Sequence, residues 1–329
     1  MKASPLSDEH SKIGNRQSAI GNALVECVPN FSEGRKIEIV ERLAAAIMGV
    51  ETACVLDTHM DSDHNRSVIT FVAAPGMVVE AAVRVVALAA ELIDIRQHTG
   101  QHPRLGATDV LPFVPVRGVT LDDCVKLAHQ AGDRIARELR IPVFFYERAA
   151  LKQDRVNLED VRRGALELLR EQIAHEPSRT PDVGPLSVHE TAGAIAVGAR
   201  PFLIAFNVNL RTSDLAIARQ IARSVRARHG GLPFLKALGF ELSTRRMMQV
   251  SMNLVNYGET GMRQAYEAVR READKFGVEI ASTEIVGLVP ENALDTTAEY
   301  FQRLENFTTD KILESRMRSC EEPLPNREQ

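Results

Sequence analysis

The side chains best suited to chemistry stand together in one polar segment between two apolar ones. Residues 96–109 contain two histidines, two arginines and an aspartate, together with two glycines and a proline. The apolar run 77–95 precedes this segment, and the apolar run 110–114 follows it. Titratable groups on a loop that two core elements hold in place are typical of binding and catalytic sites. The alternative is a solvated connection from a helix to a strand, and composition alone favours neither.

The two histidines of this segment allow two kinds of chemistry. His98 and His102 are four residues apart, which is the spacing of a helical zinc pair, but the glutamate of HExxH is absent. Gly100 between them and Pro103 after them both disfavour a helix. One imidazole could instead serve as a general base, because its ordinary pKa of about 6.5 lets it accept and return a proton near neutral pH. Arg104 could bind a carboxylate through two parallel hydrogen bonds.

A second polar cluster, residues 57–66, follows a predicted strand at 53–56. Its alternating acidic and imidazole groups could ligate a metal, orient a catalytic histidine or form a solvated turn, and no spacing in it is diagnostic. A metal-dependent hydrolase built on this cluster would use Asp57, His59, Asp61, His98 and His102.

Two further motifs carry weaker signals. In residues 29–35, Ser32 could simply cap the helix that follows. Residues 184–193 are rich in small side chains but contain no lysine, so they do not form a phosphate-binding P-loop. Small side chains would allow the backbone of this segment to approach a flat ligand closely.

Apolar periodicity predicts alternating strands and helices along the chain. In the first half the predicted elements are strands at 24–28, 53–56, 67–72, 110–116 and 141–146, and helices at 37–47, 77–95, 120–139 and 161–171. In the second half they are strands at 202–210, 234–242, 247–254 and 278–288, and helices at 213–228, 262–276 and 290–303.

Each half therefore contains the order βαββαβ, which is that of the ferredoxin-like arrangement. We predict an α+β fold of two ferredoxin-like subdomains, 23–200 and 201–329, after a disordered extension at 1–22. The aperiodic stretch 175–200 is interpreted as the link between them. The uncovered sheet faces would pack against each other across a cleft. One side of that cleft would be lined by Asn207, Asn209, Gln249, Ser251 and Asn253, although these residues could equally face solvent on an open sheet.

Composition restricts the partners and the compartment. The net charge is −4, aromatic residues make up 5% of the chain and tryptophan is absent, so nucleic-acid binding is not expected. The polar stripe along residues 77–95 favours a buried amphipathic helix over a membrane span, and residues 1–22 lack the apolar core of a signal peptide. The four cysteines are scattered, which predicts a reducing, cytoplasmic compartment and no disulfide framework.

Three segments, in order along the chain, resemble the glutamate formimidoyltransferase family: residues 25–35, 102–109 and 202–210. The chain is similar to the transferase part of formimidoyltransferase-cyclodeaminase, and the cyclodeaminase activity is expected to be absent. The resemblance implies two α/β subdomains around a cleft, a homodimer, and transfer of a formimidoyl group from N-formimidoyl-L-glutamate to N5 of tetrahydrofolate in histidine degradation. Tetrahydrofolate would be a co-substrate, and no metal or bound cofactor is expected.

The resemblance also implies site residues, with His102 of the Gly-x-His-Pro-Arg motif as the catalytic residue. The expected substrate-binding residues are Asn30, Ser32, Asp57, Arg66, Arg104, Gly106 and Asp109. The expected folate-binding residues are Gly184, Pro185, Leu186, Ser187, Val188, His189, Glu190, Thr191, Ala192, Gly193, Asn207 and Asn209, although residues 184–193 depart considerably from the family pattern. Three alternatives stay open: formyl transfer on the same scaffold, the metal-dependent hydrolase, and a ligand-sensing module without catalysis.

Overall fold

Two separate β-sheets organise the chain. The computed structural model describes residues 23–62, 64–99, 103–242 and 245–321. The strands are β1 (Leu24–Cys27), β2 (Asn30–Phe31), β3 (Cys54–Asp61), β4 (Arg66–Ala73), β5 (Thr108–Arg117), β6 (Val143–Glu147), β7 (Ile195–Ala199), β8 (Ile204–Leu210), β9 (Leu235–Leu242), β10 (Met247–Leu254) and β11 (Ile280–Val286). The α-helices are α1 (Ile37–Met48), α2 (Pro75–Leu92), α3 (Leu121–Leu139), α4 (Leu158–Val161), α5 (Ala165–Gln172), α6 (Leu215–Val225), α7 (Met262–Asp274), α8 (Glu299–Gln302) and α9 (Leu313–Glu321).

The N-terminal sheet contains β1 to β7. Its order is β3, β4, then β1 and β2 end to end, then β5, β7 and β6. All pairings are antiparallel except those of β7 with β5 and with β6, which are parallel. The long helices α1, α2 and α3 cover one face of the sheet with the largest apolar core of the protein. The helix-covered face of each strand is therefore apolar, and alternate side chains point to the opposite face.

The helices of this layer begin and end where local chemistry dictates. Pro75 occupies the first turn of α2, where its missing N–H costs no hydrogen bond. Thr120 caps α3 by accepting a hydrogen bond from the Asp123 backbone N–H, and the Asp123 carboxylate accepts in return from the Thr120 N–H. Gly132 of α3 lies where an added Cβ would stand 2.5 Å from the ring of Phe145, so the helix packs closely on the sheet.

The C-terminal sheet has four antiparallel strands in the order β11, β8, β10, β9. Side chains alternate along β8, so that Phe206 and Val208 join the core beneath α6 and α7 while Asn207 and Asn209 point to the opposite face. The molecule is thus a mixed α+β protein with two sheets, as the sequence predicted. Within the described ranges, no helix combines the length and apolar character that crossing a bilayer requires.

Two smaller apolar clusters cover parts of the other face of the N-terminal sheet. One lies beneath α4 and α5 and includes Phe144 and Tyr146 of β6. The other lies beneath α9, where Leu313 and Met317 pack on Leu56. The C-terminal helix therefore returns to the N-terminal sheet. The Arg316 Nε donates a hydrogen bond of 2.7 Å to the backbone oxygen of Leu56, which adds a polar contact to this packing.

A disulfide joins Cys54 of β3 to Cys320 of α9, with their Cα atoms 6.2 Å apart. The prediction that the cysteines have no disulfide partner is therefore wrong. The two residues are 266 positions apart, and the return of α9 to the N-terminal sheet, which brings them together, leaves no trace in the local sequence. Cys27 and Cys124 are buried free thiols, as predicted.

The structure corrects three predicted elements. The stretch 175–200 is not simply a link, because it contains β7, the strand between β5 and β6; its alanines and glycine hide the usual strand pattern. The strand predicted at 53–56 is too short, because β3 continues through the polar segment to Asp61, and β4 begins at Arg66 after a turn. The final helix predicted at 290–303 is reduced to a short 3₁₀ turn and α8, while α9 lies further along the chain.

Reduction of the Cys54–Cys320 disulfide should lower the free energy of unfolding by about 2–5 kcal/mol, because the bond restricts the unfolded chain over most of its length. Guanidinium denaturation with and without dithiothreitol measures this loss. The variant Cys320→Ser should show the reduced stability in both conditions. Equal midpoints for the wild-type protein with and without reductant would mean that the bond does not form in solution.

Candidate active site

A cluster of charged side chains joins three distant segments at the start of β4. The Arg66 Nε donates to the Asn30 Oδ1 at 3.1 Å, and the Arg66 Nη1 lies 3.9 Å from the Asp109 Oδ2. The Arg162 Nη2 donates to the same Asp109 oxygen. The Asp109 side chain is 4% exposed. The structure thus brings together the predicted substrate-binding residues Asn30, Arg66 and Asp109, and adds Arg162.

Two guanidinium groups share the carboxylate of Asp109, and the charge of Asp61 also acts on Arg66. Burial lowers the pKa of Arg66 to about 10; the neighbouring charge of Arg162 acts in the same direction, and that of Asp109 opposes it. Guanidinium groups can bind a carboxylate through two parallel hydrogen bonds, which is the chemistry that these two arginines offer.

The cluster also holds the end of the loop that precedes β5. The Asp109 Oδ1 accepts a hydrogen bond of 2.8 Å from the Leu105 N–H. The Ser32 Oγ donates to the Gly106 oxygen at 2.7 Å, and the Ser32 N–H donates to the Ala107 oxygen at 2.9 Å. Residues 105–107 are therefore fixed by side chains from two other segments.

The alternative interpretation of Ser32 as a helix cap is wrong. Lys36 occupies the N-cap position of α1, and no side chain caps it. The Glu33 Oε1 instead accepts hydrogen bonds from the backbone N–H groups of Arg35 and Lys36. Ser32 is consequently directed to the loop before β5.

Two glycines allow this loop to approach residues 184–193 closely. An added Cβ on Gly106 would lie 2.2 Å from the Ala194 oxygen. Gly193 has φ +72°, and its Cβ would lie 2.4 Å from the Leu105 oxygen. His189 and Gly193 exchange backbone hydrogen bonds of 2.8 and 2.9 Å. The predicted folate segment thus ends in a tight turn packed against the predicted catalytic loop.

His98 has a structural role in this loop. Its Nε2 lies 2.9 Å from the Asn65 backbone oxygen and must carry the hydrogen, because a carbonyl only accepts. The Asn65 side chain accepts from the Gly34 N–H at 3.0 Å and donates to the Thr99 oxygen at 3.2 Å. Burial lowers the pKa of His98, and the hydrogen bond to Asn65 opposes this in part. The neutral imidazole therefore ties the loop to the β3–β4 turn.

Arg104, in the same loop, forms an ion pair with Glu167. Its Nη2 donates to the Glu167 Oε1 at 3.0 Å, and the Arg104 side chain is 17% exposed whereas that of Glu167 is 64% exposed. His102, the predicted catalytic residue, lies outside the described residues. Its assignment as the catalytic residue comes from the sequence motif alone. Thr99 and Arg104, two described residues on either side of it, belong to the network above.

The acidic and imidazole groups of the second cluster lie along β3. Asp57 is paired with Thr70, His59 with Val68 and Asp61 with Arg66 on β4. The Asp61 carboxylate binds the His64 side chain at 2.7 Å. Among the residues that the structure describes, no group of three or more His, Cys, Asp or Glu could hold a metal ion.

On the C-terminal sheet, polar side chains form a hydrogen-bonded row on the face away from α6 and α7. The Asn207 Nδ2 donates to the Glu284 carboxylate at 3.2 Å, and the Asn207 Oδ1 is buried without a hydrogen-bond partner among the described residues. The Asn209 Nδ2 donates to the Ser282 Oγ at 3.0 Å, and the Gln249 Nε2 donates to the Asn209 Oδ1 at 2.9 Å. Four predicted lining residues are thus partly or wholly buried, and Asn253 is exposed.

Comparison with known proteins identifies the family. Residues 24–200 match the model of the formiminotransferase domain, N-terminal subdomain, and residues 205–318 match that of the formiminotransferase domain. The chain is 49% identical over 297 residues to a glutamate formimidoyltransferase of Thermoplasma acidophilum, covering 90% of this chain and 97% of that protein. The chain belongs to the formiminotransferase family.

Two further relatives show which proteins of the family this formiminotransferase matches over their whole length and which it matches only in part. A Streptococcus pyogenes glutamate formimidoyltransferase is 43% identical over 89% of this chain and 98% of its own length. A formimidoyltransferase-cyclodeaminase of Rattus norvegicus is 40% identical over 88% of this chain but only 54% of its own length. The similarity to the bifunctional protein is therefore confined to a part of it.

Sequence reasoning missed several residues of this formiminotransferase site. Arg162 lies 53 positions from Asp109, after a four-residue helix, and nothing in its surroundings distinguishes it from other surface arginines. Asn65 has φ +48°, a conformation that asparagine tolerates better than most residues, and the motif Asn-Arg after a polar turn was its only signal.

The variant Asp109→Asn should lower the free energy of unfolding by about 3 kcal/mol, because it removes the buried carboxylate that two partly buried guanidinium groups contact. Urea denaturation measures this effect. The matched control Glu167→Gln removes a carboxylate from the exposed pair with Arg104 and should cost less than about 1 kcal/mol. Similar losses in the two variants would contradict the central role of Asp109.

The His98 imidazole should titrate below the ordinary histidine pKa of about 6.5, since burial favours its neutral form. Its stabilising contribution is then complete above that pH and is lost as the pH falls through the pKa of the folded protein. Nitrogen-15 NMR of the histidine rings should show a protonated Nε2 at pH 7. A resonance that titrates above 6.5 and carries its hydrogen on Nδ1 would refute the assignment.

Proposed function

We propose that this formiminotransferase moves the formimidoyl group of N-formimidoyl-L-glutamate to N5 of tetrahydrofolate, giving 5-formimidoyltetrahydrofolate and L-glutamate in histidine degradation. The observation that carries this proposal is the 49% identity to a protein named glutamate formimidoyltransferase over 97% of that protein's length. The chain would act as a one-carbon transferase with tetrahydrofolate as co-substrate and without a bound cofactor.

In this proposal the two subdomains, 23–200 and 201–329, are both ferredoxin-like and their uncovered faces form the substrate cleft. The strand orders support this, since β5-β1-β4-β3 and β11-β8-β10-β9 place corresponding strands of the two βαββαβ units in the same sequence. Contacts between the halves support it further. The Lys236 Nζ lies 3.8 Å from the Glu147 carboxylate and 3.1 Å from that of Glu159, and the rings of His64 and Phe240 meet edge to face.

His102 would transfer the protons of the reaction. The N5 amine loses a proton as its bond to the formimidoyl carbon forms, and the departing glutamate nitrogen gains one as its bond to that carbon breaks. One imidazole can accept the first proton and deliver the second, so the overall reaction consumes none. Binding both substrates in one cleft supplies the proximity that the step requires. A carboxylate such as Asp57 or Asp109 would stabilise the imidazolium.

The arginines near the loop would bind the donor's carboxylates. Arg66 and Arg162, which both contact Asp109, offer one site for a carboxylate. Arg104 offers another, because its partner Glu167 is mostly exposed and a substrate carboxylate can replace it. Asn30, Ser32 and Gly106 would shape this pocket.

Residues 184–193 would contact the folate together with Asn207 and Asn209. Two observations support this: the turn His189–Gly193 contacts the loop at Gly106, and the Asn207 Oδ1, which has no hydrogen-bond partner among the described residues, can accept a hydrogen bond from the ligand.

The protein would act as a homodimer in the cytoplasm, without a nucleic-acid or membrane partner. The redox state of Cys54 and Cys320 in freshly lysed cells tests the compartment.

Formyl transfer remains the second candidate, because a formyl and a formimidoyl group differ only by O in place of NH. The test incubates purified protein and tetrahydrofolate with either N-formimidoyl-L-glutamate or N-formyl-L-glutamate. The absorbance of the folate product and the release of glutamate measure the transfer. Product from N-formimidoyl-L-glutamate alone supports the proposal, and product from N-formyl-L-glutamate alone contradicts it. Loss of activity with a chelator would favour the metal-dependent hydrolase.

The variant His102→Ala should lower kcat by roughly 100- to 10,000-fold, the usual contribution of a positioned acid–base group. Folate binding and the melting temperature should change little. The wild-type pH profile should contain one group with a pKa near that of a histidine, and the variant should lack it.

The matched control is His98→Ala, which should cost much less activity because His98 is committed to the Asn65 oxygen. Arg104→Ala should raise KM for the donor more than it lowers kcat. An inactive His98→Ala protein beside a nearly normal His102→Ala protein would reverse the assignment of the two histidines.

A further inference from the structure

Glu26 is a buried acidic residue that the reaction described above does not use. It lies in the middle of β1, between Val25 and Cys27, whose side chains belong to the core beneath the helices. Glu26 therefore points to the opposite face of the N-terminal sheet, the face proposed to line the cleft. The residue is 2% exposed. A carboxyl group in such a position requires an explanation, because burial of an unpaired charge is costly.

The surroundings of Glu26 offer it little compensation. Its neighbours across the two adjacent strands are Val72 and Val114, both apolar. Among the described residues, no group donates a hydrogen bond to its carboxylate. Burial raises the pKa of Glu26 to about 7, and only the charge of Arg200 opposes that rise. Near neutral pH the carboxyl group is therefore present in both neutral and ionised forms, and hydrogen-bond donors would favour the ionised one.

Glu26 also shares its sheet face with the Asp109 cluster. Asn30 of β2 follows Glu26 by four residues, and β1 and β2 lie end to end, so the two side chains point to the same face of the sheet. In an extended chain four residues span roughly 13 Å. Asn30 accepts a hydrogen bond from Arg66 of the Asp109 cluster. The Tyr146 ring of β6 packs over Gly198 of β7, which pairs with Pro112 of β5 at a level of the sheet between Glu26 and Asn30. One surface therefore connects an anion-binding end with a buried carboxyl end.

We propose that Glu26 binds the pterin ring of tetrahydrofolate by accepting hydrogen bonds from its 2-amino and N3–H groups. This inference rests on the proposed function. The two N–H donors of that edge are parallel and adjacent, and a carboxylate presents two acceptor oxygens at a matching spacing. N5 belongs to the other ring of the pterin, so this contact directs N5 away from Glu26 and towards the Asn30–Asp109 end of the surface.

The assignment explains why an acidic residue stands where the sheet otherwise favours an apolar one. Valine on both neighbouring strands shows that an apolar side chain fits this level of the sheet. The two N–H groups of the pterin compensate for the unfavourable free energy of the buried, ionised carboxylate, and they do so only in the complex. A ligand that lacks these N–H groups would bind less tightly, so Glu26 would determine specificity. The donor glutamate, which carries carboxylates, would be repelled from this end.

The experiment compares two ligands on two proteins in the absence of the formimidoyl donor. Direct titration measures the Kd of tetrahydrofolate and of its analogue with hydrogen in place of the 2-amino group, on the wild-type protein and on Glu26→Gln. The wild-type protein should prefer tetrahydrofolate by roughly 10- to 100-fold, the value of hydrogen bonds to a charged group. Glu26→Gln should lose most of that preference, and Glu26→Asp should retain part of it.

Controls separate this effect from a general disturbance. Glu279→Gln removes an exposed carboxylate at the edge of the C-terminal sheet and should leave the preference unchanged. In steady-state assays Glu26→Gln should raise KM for tetrahydrofolate while KM for the donor stays within about twofold.

Equal affinity of the wild-type protein for the two ligands would overturn the proposal, and this measurement remains decisive even if Glu26→Gln does not fold. A preference lost in Glu284→Gln but kept in Glu26→Gln would place the pterin edge on the other sheet and would also overturn it. Failure of the proposed function would look different: tetrahydrofolate would not bind, or would bind without accepting a formimidoyl group.

Discussion

The buried carboxylate of Asp109 is the interaction on which the arrangement of the site depends. A carboxylate removed from water is unfavourable by several kcal/mol unless charges and hydrogen bonds compensate for it. Among the described residues, compensation comes from the Leu105 N–H in the loop, Arg66 at the start of β4 and Arg162 after α4. A shift of any one of them leaves charge uncompensated, so the relative position of the loop, the hairpin and α4 follows from electrostatics.

Sequence predicted the parts of this arrangement that depend on local patterns. Alternation identified β8 and β10, and helical spacing identified α1, α2, α3, α6 and α7 to within a few residues. Asn30 and Asp109 lie in segments that resemble one family, and Arg66 is predicted as a cation for the donor's carboxylates. Arg162 was missed because its partner is 53 positions away, and a long-range ion pair leaves no periodic signal in a single sequence. Strand β7 was missed because small residues carry little hydrophobic contrast.

The faces of the two sheets show a further limit of sequence reasoning. Alternation of polar and apolar residues along β8 and β10 has the same appearance whether the polar face meets solvent or a cleft. What the structure adds is burial: Asn209 is fully buried and bound to both Ser282 and Gln249. An amide row that is internally hydrogen-bonded and shielded from water is preorganised, because its side chains need not reorient when a polar ligand binds.

The C-terminal helix restrains the position of the two sheets relative to each other. Helix α9 leaves the C-terminal half and packs on Leu56 and Val72 of the N-terminal sheet, where Arg316 and the Cys54–Cys320 disulfide add a hydrogen bond and a covalent link. On another edge, Lys236 of β9 meets Glu147 of β6. The spacing of the two sheets is thus restrained at positions remote from Asp109. In the cleft proposed between the sheets, two substrates must be held in contact, so a small error in this spacing would lower the rate of transfer without altering any residue that contacts them.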